Sequence, residues 1–300
     1  MNKLVYLVGL PGSGKSYFAN YLKEKFDYKV YSSDCIRKEL YGDEAIQGNP
    51  QKIFHILYQR LFKALKKDKN CIFDASNVSQ KNRINFLKEL KKNKINCYCQ
   101  CMILCTPLDL CIERDRKRER TVGQEVIYKM LKSFNVPTGE EGWDSIYFIP
   151  TGRLDSAEFW YNYNHSIPHE NPSHLETIYQ HSFLTEIKAK DFPEIVQVAA
   201  RYHDIGKYLA KKVGEDGIAH YYNHENISAY LYMTSKEFFD YYKKSGLDGL
   251  EILYLIQCHM YPHFKSESAE KKIQLYFPVS RKNLNLLYYC DLTSAIRETD

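Results

Sequence analysis

The chain has 300 residues, more than one hydrophobic core usually organises, and its 44% hydrophobic content is enough to fill two. No apolar run is long enough to cross a bilayer, and the start, MNKLVYLVGLPGSGKS, meets Gly and Pro too early for a signal peptide, so a cytoplasmic protein with no membrane partner is expected. The net charge of +5 conceals an asymmetry: 26 Lys and Arg face 17 Asp and Glu up to Pro150, against 16 and 20 after it. A basic first half suits a polyanionic substrate, although solvated helix faces alone also produce such an excess.

Leu4 to Val8 is a short apolar run that ends in a Gly-rich turn, and a helical pattern follows from Lys15 to about Lys25. Strand patterns at Lys29–Ser32, Cys71–Phe73 and Asn96–Leu104 then alternate with helical stretches at about 50 to 67, 79 to 92 and 107 to 120, and SIYFIP gives a further strand ending at Pro150. This order predicts an α/β domain, a parallel sheet with flanking helices, over 1–150. Cys97, Cys99 and Cys101 alternate on one face of the fourth strand with no His beside them, so they read as packing groups and not as metal ligands. Nine cysteines, an odd count, suit a reducing compartment. Residues 151–173, with two prolines, several Asn and little periodicity, read as a connector, and 174–300 reads as all-α, with breaks near Gly214–Gly217, Gly246–Gly249 and Tyr261–Phe264.

The turn after the first strand, Gly9-Leu10-Pro11-Gly12-Ser13-Gly14-Lys15-Ser16, matches the phosphate-binding pattern GxxxxGK[ST]. Its glycines let backbone N–H groups curl round an anion, Lys15 is placed to reach the β and γ phosphates of ATP, and Ser16 can hold Mg²⁺. The loop alone does not choose between a kinase and an ATPase. Asp34 and Arg37, three residues apart in VYSSDCIRKEL, favour phosphoryl transfer: the carboxylate can accept the proton of an attacking hydroxyl, and the guanidinium can hold an acceptor phosphate. A helix-capping Asp beside a solvated Arg is the plainer alternative. In CIERDRKRERTVGQEVIYKML, Arg114 and Arg118 share a helical face by their spacing and suit a lid over ATP.

Taken together, GLPGSGKS, SSDCIR, FDASN, RDRKR, VGQEVI and GWDSI resemble the 5′-hydroxyl polynucleotide kinase family over residues 1–150. The resemblance implies that Asp34 is the general base, that Arg37 contacts the acceptor's phosphate, and that Arg114 and Arg118 touch the ATP phosphates. Related P-loop kinases of small metabolites or aminoacyl-tRNA share much of the pattern.

In the second half, His181, His203, Asp204, His224, His259 and Asp291 each sit on an apolar helical stretch, so several helices can point them into one cavity. His165, His169, His174, His220 and His263 read as ordinary histidines. The order H…HD…H…H…D, with HDIGK and NHE, resembles the HD phosphohydrolase superfamily over residues 174–300. The resemblance implies one or two divalent transition metals such as Mn²⁺, Fe, Co²⁺, Ni²⁺ or Zn²⁺: His181, His203, Asp204 and Asp291 would hold the first, and His224 and His259 the second through a shared Asp204. Lys207 either stabilises phosphate charge or is simply solvated.

The pairing resembles bifunctional enzymes that heal broken nucleic-acid ends, so nucleic acid, RNA rather than DNA, and a separate ligase are the expected partners. A metabolite kinase joined to a nucleotidase is the alternative, and a nucleotide-sensing regulator without turnover a third.

Overall fold

The computed structural model describes residues 1–264, 266–276 and 279–297. They divide into two units, one of residues 1–127 and 137–152, the other of residues 128–136 and 153 onward.

In the first unit the chain runs β1 (Lys3–Val8), α1 (Lys15–Phe26), β2 (Lys29–Ser32), α2 (Ser33–Tyr41), α3 (Pro50–Leu65), β3 (Cys71–Asp74), α4 (Gln80–Lys92), β4 (Tyr98–Cys105), α5 (Leu108–Arg116), α6 (Gln124–Lys132) and β5 (Ser145–Pro150). All five strands are parallel, in the order β2-β3-β1-β4-β5. β1 is buried along all but its first residue, as a central parallel strand covered on both faces must be. Because β1 has β3 on one side and β4 on the other, the strand order reverses at its carboxyl end, and the glycine-rich turn emerges there. On one face of the sheet Tyr6 stacks on Phe73 at 4.8 Å and is flanked by Phe86 and Trp143.

A fully buried ion pair closes this unit. Arg83 on α4 gives two hydrogen bonds to Glu141, from Nε at 2.8 Å and from a terminal nitrogen at 2.7 Å, and another terminal nitrogen bonds the carbonyls of Asn77 and Val78. Trp143 Nε1 and the Thr138 N–H also donate to Glu141, so nearly every lone pair of the carboxylate is used. The cysteine reading of β4 holds: Cys97, Cys99 and Cys101 are buried.

The second unit carries α7 (Ala157–Tyr163), which lies within the stretch read as a connector, then α8 (Ile178–Ala189), α9 (Glu194–Tyr202), α10 (Lys207–Ala210), a small hairpin of β6 (Lys212–Val213) and β7 (Ala219–His220), α11 (His224–Met233), α12 (Lys236–Lys244), α13 (Gly246–Cys258), α14 (Glu267–Ile273) and α15 (Arg281–Ser294). The hairpin is the one departure from an all-α pattern among the described residues. Its turn falls at the Gly214–Gly217 break, whereas the next break lies at Ser245, whose side chain caps α13. α13 is the apolar centre, with Ile252, Leu253, Leu255 and Ile256 fully buried. Residues 128–136 pack here too: Phe134 meets Tyr230 edge-on at 5.0 Å, and the Val136 N–H donates to Gln257.

Breaking a buried ion pair from one side leaves an uncompensated charge, at a typical cost of about 3–5 kcal/mol. Glu141→Ala is therefore expected to lower the stability of the first unit by about that amount, measured as a drop in its denaturant midpoint. Arg83→Met with Glu141→Leu together should recover only part of the loss, because the Asn77 and Val78 carbonyls and the Trp143 and Thr138 N–H groups then lose their partners.

Candidate functional site

At the carboxyl end of β1 the backbone must bend round empty space, and two glycines permit it. Gly12 and Gly14 have φ of +80° and +91°, and a Cβ on Gly12 would lie 2.1 Å from the carbonyl oxygen of Cys111. Lys15 folds back over this turn, donating to the carbonyls of Gly9 (2.9 Å) and Leu10 (2.8 Å). Burial lowers its pKa. Ser16 Oγ donates to Asp74 Oδ2 at 3.1 Å, which puts a hydroxyl and a carboxylate side by side where a P-loop needs Mg²⁺ ligands. The sequence offers Asp74 as the single carboxylate after a short strand, in CIFDASN, without a ligand role, and the structure sets it beside Ser16.

Asp34 and Arg37 lie on the first turns of α2 and form an ion pair with each other, so they share one face as their spacing requires. Asp34 is exposed, and its charge acts to raise the pKa of both Lys15 and Asp74. The arginine run departs from the single helix expected over 107–120. α5 ends at Arg116 because the buried carboxylate of Asp115 accepts the N–H groups of Val122 and Gly123 and draws the chain back. Arg118 thus stands beyond the helix, and its partnership with Arg114 does not come from helical spacing. Arg114 nevertheless reaches the phosphate turn, 3.7 Å from where a Gly14 Cβ would be, and the positive charge of Arg118 acts to lower the pKa of Lys15 and Asp74. Arg116 and Arg120 are turned to Gln124 and Glu44.

In the second unit the structure brings all six sequence-selected histidines and aspartates together. His181 comes from α8, His203 and Asp204 from the turn between α9 and α10, His224 from the start of α11, His259 from the end of α13 and Asp291 from α15. The helix stops after Tyr202, so His203 and its neighbour Asp204 can face the same interior, and their side chains approach to 3.1 Å. One group is His181, His203 and Asp291, with His181 Nε2 2.9 Å and His203 Nε2 3.6 Å from Asp291 Oδ1. The other is Asp204, His224 and His259, with His224 Nε2 3.0 Å and His259 Nε2 3.7 Å from Asp204 Oδ1. Asp204 joins them, because its Oδ2 also lies 3.7 Å from His181 Nε2.

These donors fit divalent cations. His203, His224 and His259 each turn Nδ1 to a backbone carbonyl, of Ala200, Tyr221 and Ile256, which leaves Nε2 directed inward. Both oxygens of Asp204 and Nε2 of His203 are buried without hydrogen-bond geometry to any neighbour. Two carboxylates this deep require positive charge. Burial opposes ionisation, but His203 and Lys207 hold Asp204 well below the usual range, while burial of His203 is outweighed by Asp204 and Asp291 and its pKa is pushed up to about 10. A divalent ion would take over from that proton the charge that balances the two carboxylates, since Nε2 must be deprotonated to act as a ligand. Lys207 lies 2.6 Å from Asp204 Oδ2, so it belongs to the cavity and is not a solvated side chain.

Glu176 escaped the sequence reading, and His169, His174 and His263, expected to be ordinary histidines, stand against the cluster instead. Glu176, buried, faces His181 Nδ1 at 3.3 Å and accepts from His174 at 2.7 Å; His169 bonds the Glu176 carbonyl and sits 3.3 Å from Lys207. The spacing H-x4-H-x-E just ahead of His181 was the available signal. His263 adds a contact of 3.1 Å to Asp291.

Residues 4–137 match the family model of an AAA domain, and residues 173–292 match that of the HD domain. The chain thus joins a P-loop kinase domain to an HD domain, which imply ATP with Mg²⁺ and divalent metal ions respectively. It is 27% identical over 166 residues to an L-seryl-tRNA(Sec) kinase of Methanococcus maripaludis, covering 52% of this chain and 60% of that protein, so it spans less than two thirds of that relative's length. Among solved structures it is similar to a Pnkp1/Rnl/Hen1 RNA repair complex (24% identity, 43% of this chain and 42% of that one, TM-score 0.37). It is also similar to a gluconokinase from Sinorhizobium meliloti 1021 (14% identity, 50% and 84%, TM-score 0.36). No helix among the described residues is long and apolar enough to cross a membrane.

Two outcomes check these sites. Mn²⁺ at a hundred times its dissociation constant should stabilise the second unit by about 2.7 kcal/mol for each ion bound, seen as a rise in melting temperature that a chelator reverses. Asp204→Ala should abolish the rise, and a rise that survives this substitution places the ion elsewhere. In the first unit, burial raises the pKa of Asp74. Its protonated form is favoured by folding, so any stability it contributes is present at low pH and lost as pH rises through the raised value. Mg²⁺–ATP binding should run the opposite way, weakening as pH falls at a higher pH than an ordinary aspartate would give, and Asp74→Asn should remove that acid limb.

Proposed function

We propose that the first unit transfers the γ-phosphoryl of ATP to the 5′-hydroxyl of a polynucleotide, and that the second removes a 2′,3′-cyclic, 2′- or 3′-phosphate, so that one chain heals both sides of a break. The observation that carries the reading is the coexistence of two separately built phosphate sites. One is the glycine turn with Lys15, Ser16 and the Asp34–Arg37 pair; the other is the Asp204-centred cluster with its unbonded buried oxygens.

In the first site, the N–H groups of Gly12 and Gly14 would face the phosphates, while those of Gly9 and Ser13 hold the turn by donating to Ser76 and Leu10, and Lys15 would exchange the Gly9 and Leu10 carbonyls for phosphate oxygens. Asp34, exposed at the crevice, would take the proton of the attacking hydroxyl, while Arg37 would hold the acceptor's nearest phosphate. Arg114 and Arg118 would neutralise the charge spreading over the phosphoryl group in transfer. In the second site, His181, His203, Asp204 and Asp291 would hold one ion, and His224 and His259 with Asp204 another. When bound, such ions lower the pKa of water and neutralise the phosphate it attacks. Lys207, held between Asp204 and His169, would orient the phosphate's remaining charge.

A second reading concerns the acceptor. The relative from Methanococcus maripaludis is named for phosphorylating L-seryl-tRNA(Sec), and its likeness supports an acceptor hydroxyl carried on aminoacyl-tRNA.

A short RNA with a 5′-hydroxyl and a 2′,3′-cyclic phosphate separates these readings. Wild type with ATP, Mg²⁺ and Mn²⁺ should convert both ends. Lys15→Ala should lose only 5′ labelling, Asp204→Ala only 3′ processing, and Asp34→Asn should cut the kinase kcat by about 10²–10⁴. Labelling of seryl-tRNA or a nucleoside, with none of the oligonucleotide, would sink the polynucleotide assignment.

A further inference from the structure

The metal-ligand cluster forms the floor of a cavity of about 700 Å³, far larger than a phosphate group and within the range of sites that enclose a whole small molecule. One wall is built by the end of the β6–β7 hairpin and the three residues after it. His220 and Tyr222 both line the cavity, and their rings are parallel within 7° at a centroid separation of 5.4 Å. Tyr222 is 68% exposed, so one face of its ring rests on His220 while much of the side chain is open to solvent. Phe264, also largely exposed, lines the same cavity.

This wall is indexed to the metal ligands through the backbone. Tyr222 lies two residues before His224, a chain reach of at most about 7 Å. Between β7 and α11, the Tyr221 carbonyl accepts the His224 Nδ1 hydrogen bond at 2.8 Å, while the Tyr221 hydroxyl donates to the His169 carbonyl. Asn223 adopts φ of +63°, a left-handed conformation that a non-glycine residue takes at a cost, and it makes the sharp turn from the aromatic pair into α11. On the other side, the Ala219 N–H donates to Glu170, and Asn171 donates to the Ala219 carbonyl. The aromatic pair is therefore held at a fixed offset from the floor.

We propose that Tyr222, backed by His220, is a stacking shelf for the nucleobase adjoining the phosphate bound at the histidine–aspartate cluster, so that the second unit takes a nucleotide and not a bare phosphoester. A flat aromatic pair with one accessible face suits any base, because every base offers a π-face, and it predicts weak discrimination among the four. The inference rests on the phosphoester reading of the second unit and adds which residues would hold the base next to the phosphate.

Steady-state kinetics of the full chain with Mn²⁺ test it. The substrates are the four nucleoside 2′,3′-cyclic phosphates and 3′-monophosphates, each set beside the ribose phosphate of the same ester lacking the base. Wild type should favour the base-bearing substrate about tenfold or more in kcat/KM. Tyr222→Ala should erase that preference mainly through KM, Tyr222→Phe should keep it, and neither should alter the abasic substrate. Equal wild-type rates with and without the base, or a Tyr222→Ala effect shared by both substrates, would overturn the shelf while leaving the phosphoester reading intact. Hydrolysis of neither substrate type would refute the phosphoester reading, and the shelf with it.

Discussion

The second unit is organised round the cost of burying Asp204. A carboxylate at 1% exposure has to be surrounded by positive or polarisable partners, and the fold supplies two from its own turn, Lys207 at 2.6 Å and His203 at 3.1 Å, and one from α11, His224 at 3.0 Å. Satisfying it in this way would be an expensive route to stability alone, since well-packed apolar side chains of similar volume do as well or better. Even so, both its oxygens lack hydrogen-bond geometry. A cluster that gathers partners by charge, with contact distances but without directed hydrogen bonds at either oxygen, has the donor set that divalent cations take.

The first unit meets a different demand, the concentrated negative charge that a phosphate-binding turn is built to face. Its answer is backbone: a strand end, a turn in which Gly12 passes too close to Cys111 for any side chain, and a helix N-terminus. Around it the charged side chains are mostly on loops and helix ends, where they can move as substrates bind. The fully buried Arg83–Glu141 pair stands apart from this crevice and fixes the 138–143 segment against α4 instead.

Much was legible in order along the chain. The phosphate turn declared itself because its chemistry is local: eight consecutive residues supply the glycines, the lysine and the hydroxyl. The five parallel strands followed from apolar runs alternating with helical periodicity, and each lies within two residues of its expected bounds at both ends. Less legible were features decided by one side chain reaching along the backbone. Asp115 ends α5 at Arg116 by binding Val122 and Gly123, and no periodicity in RDRKRER announces that. Glu176 was passed over because a single glutamate ahead of a helix has many uses, and only its approach to His181 and His174 shows which one applies.

The sequence by itself determined the residue types and their order: a nucleotide loop first, then histidines and aspartates spread over more than a hundred positions. Only the tertiary structure decided that those six side chains meet, that Asp204 lies between two histidine groups, and that Lys207 is drawn inside with them. The physical reason is range. Backbone conformation and hydrophobic period are settled among near neighbours, whereas the pairing of buried charges depends on which helices pack together, and that is fixed by the whole core at once.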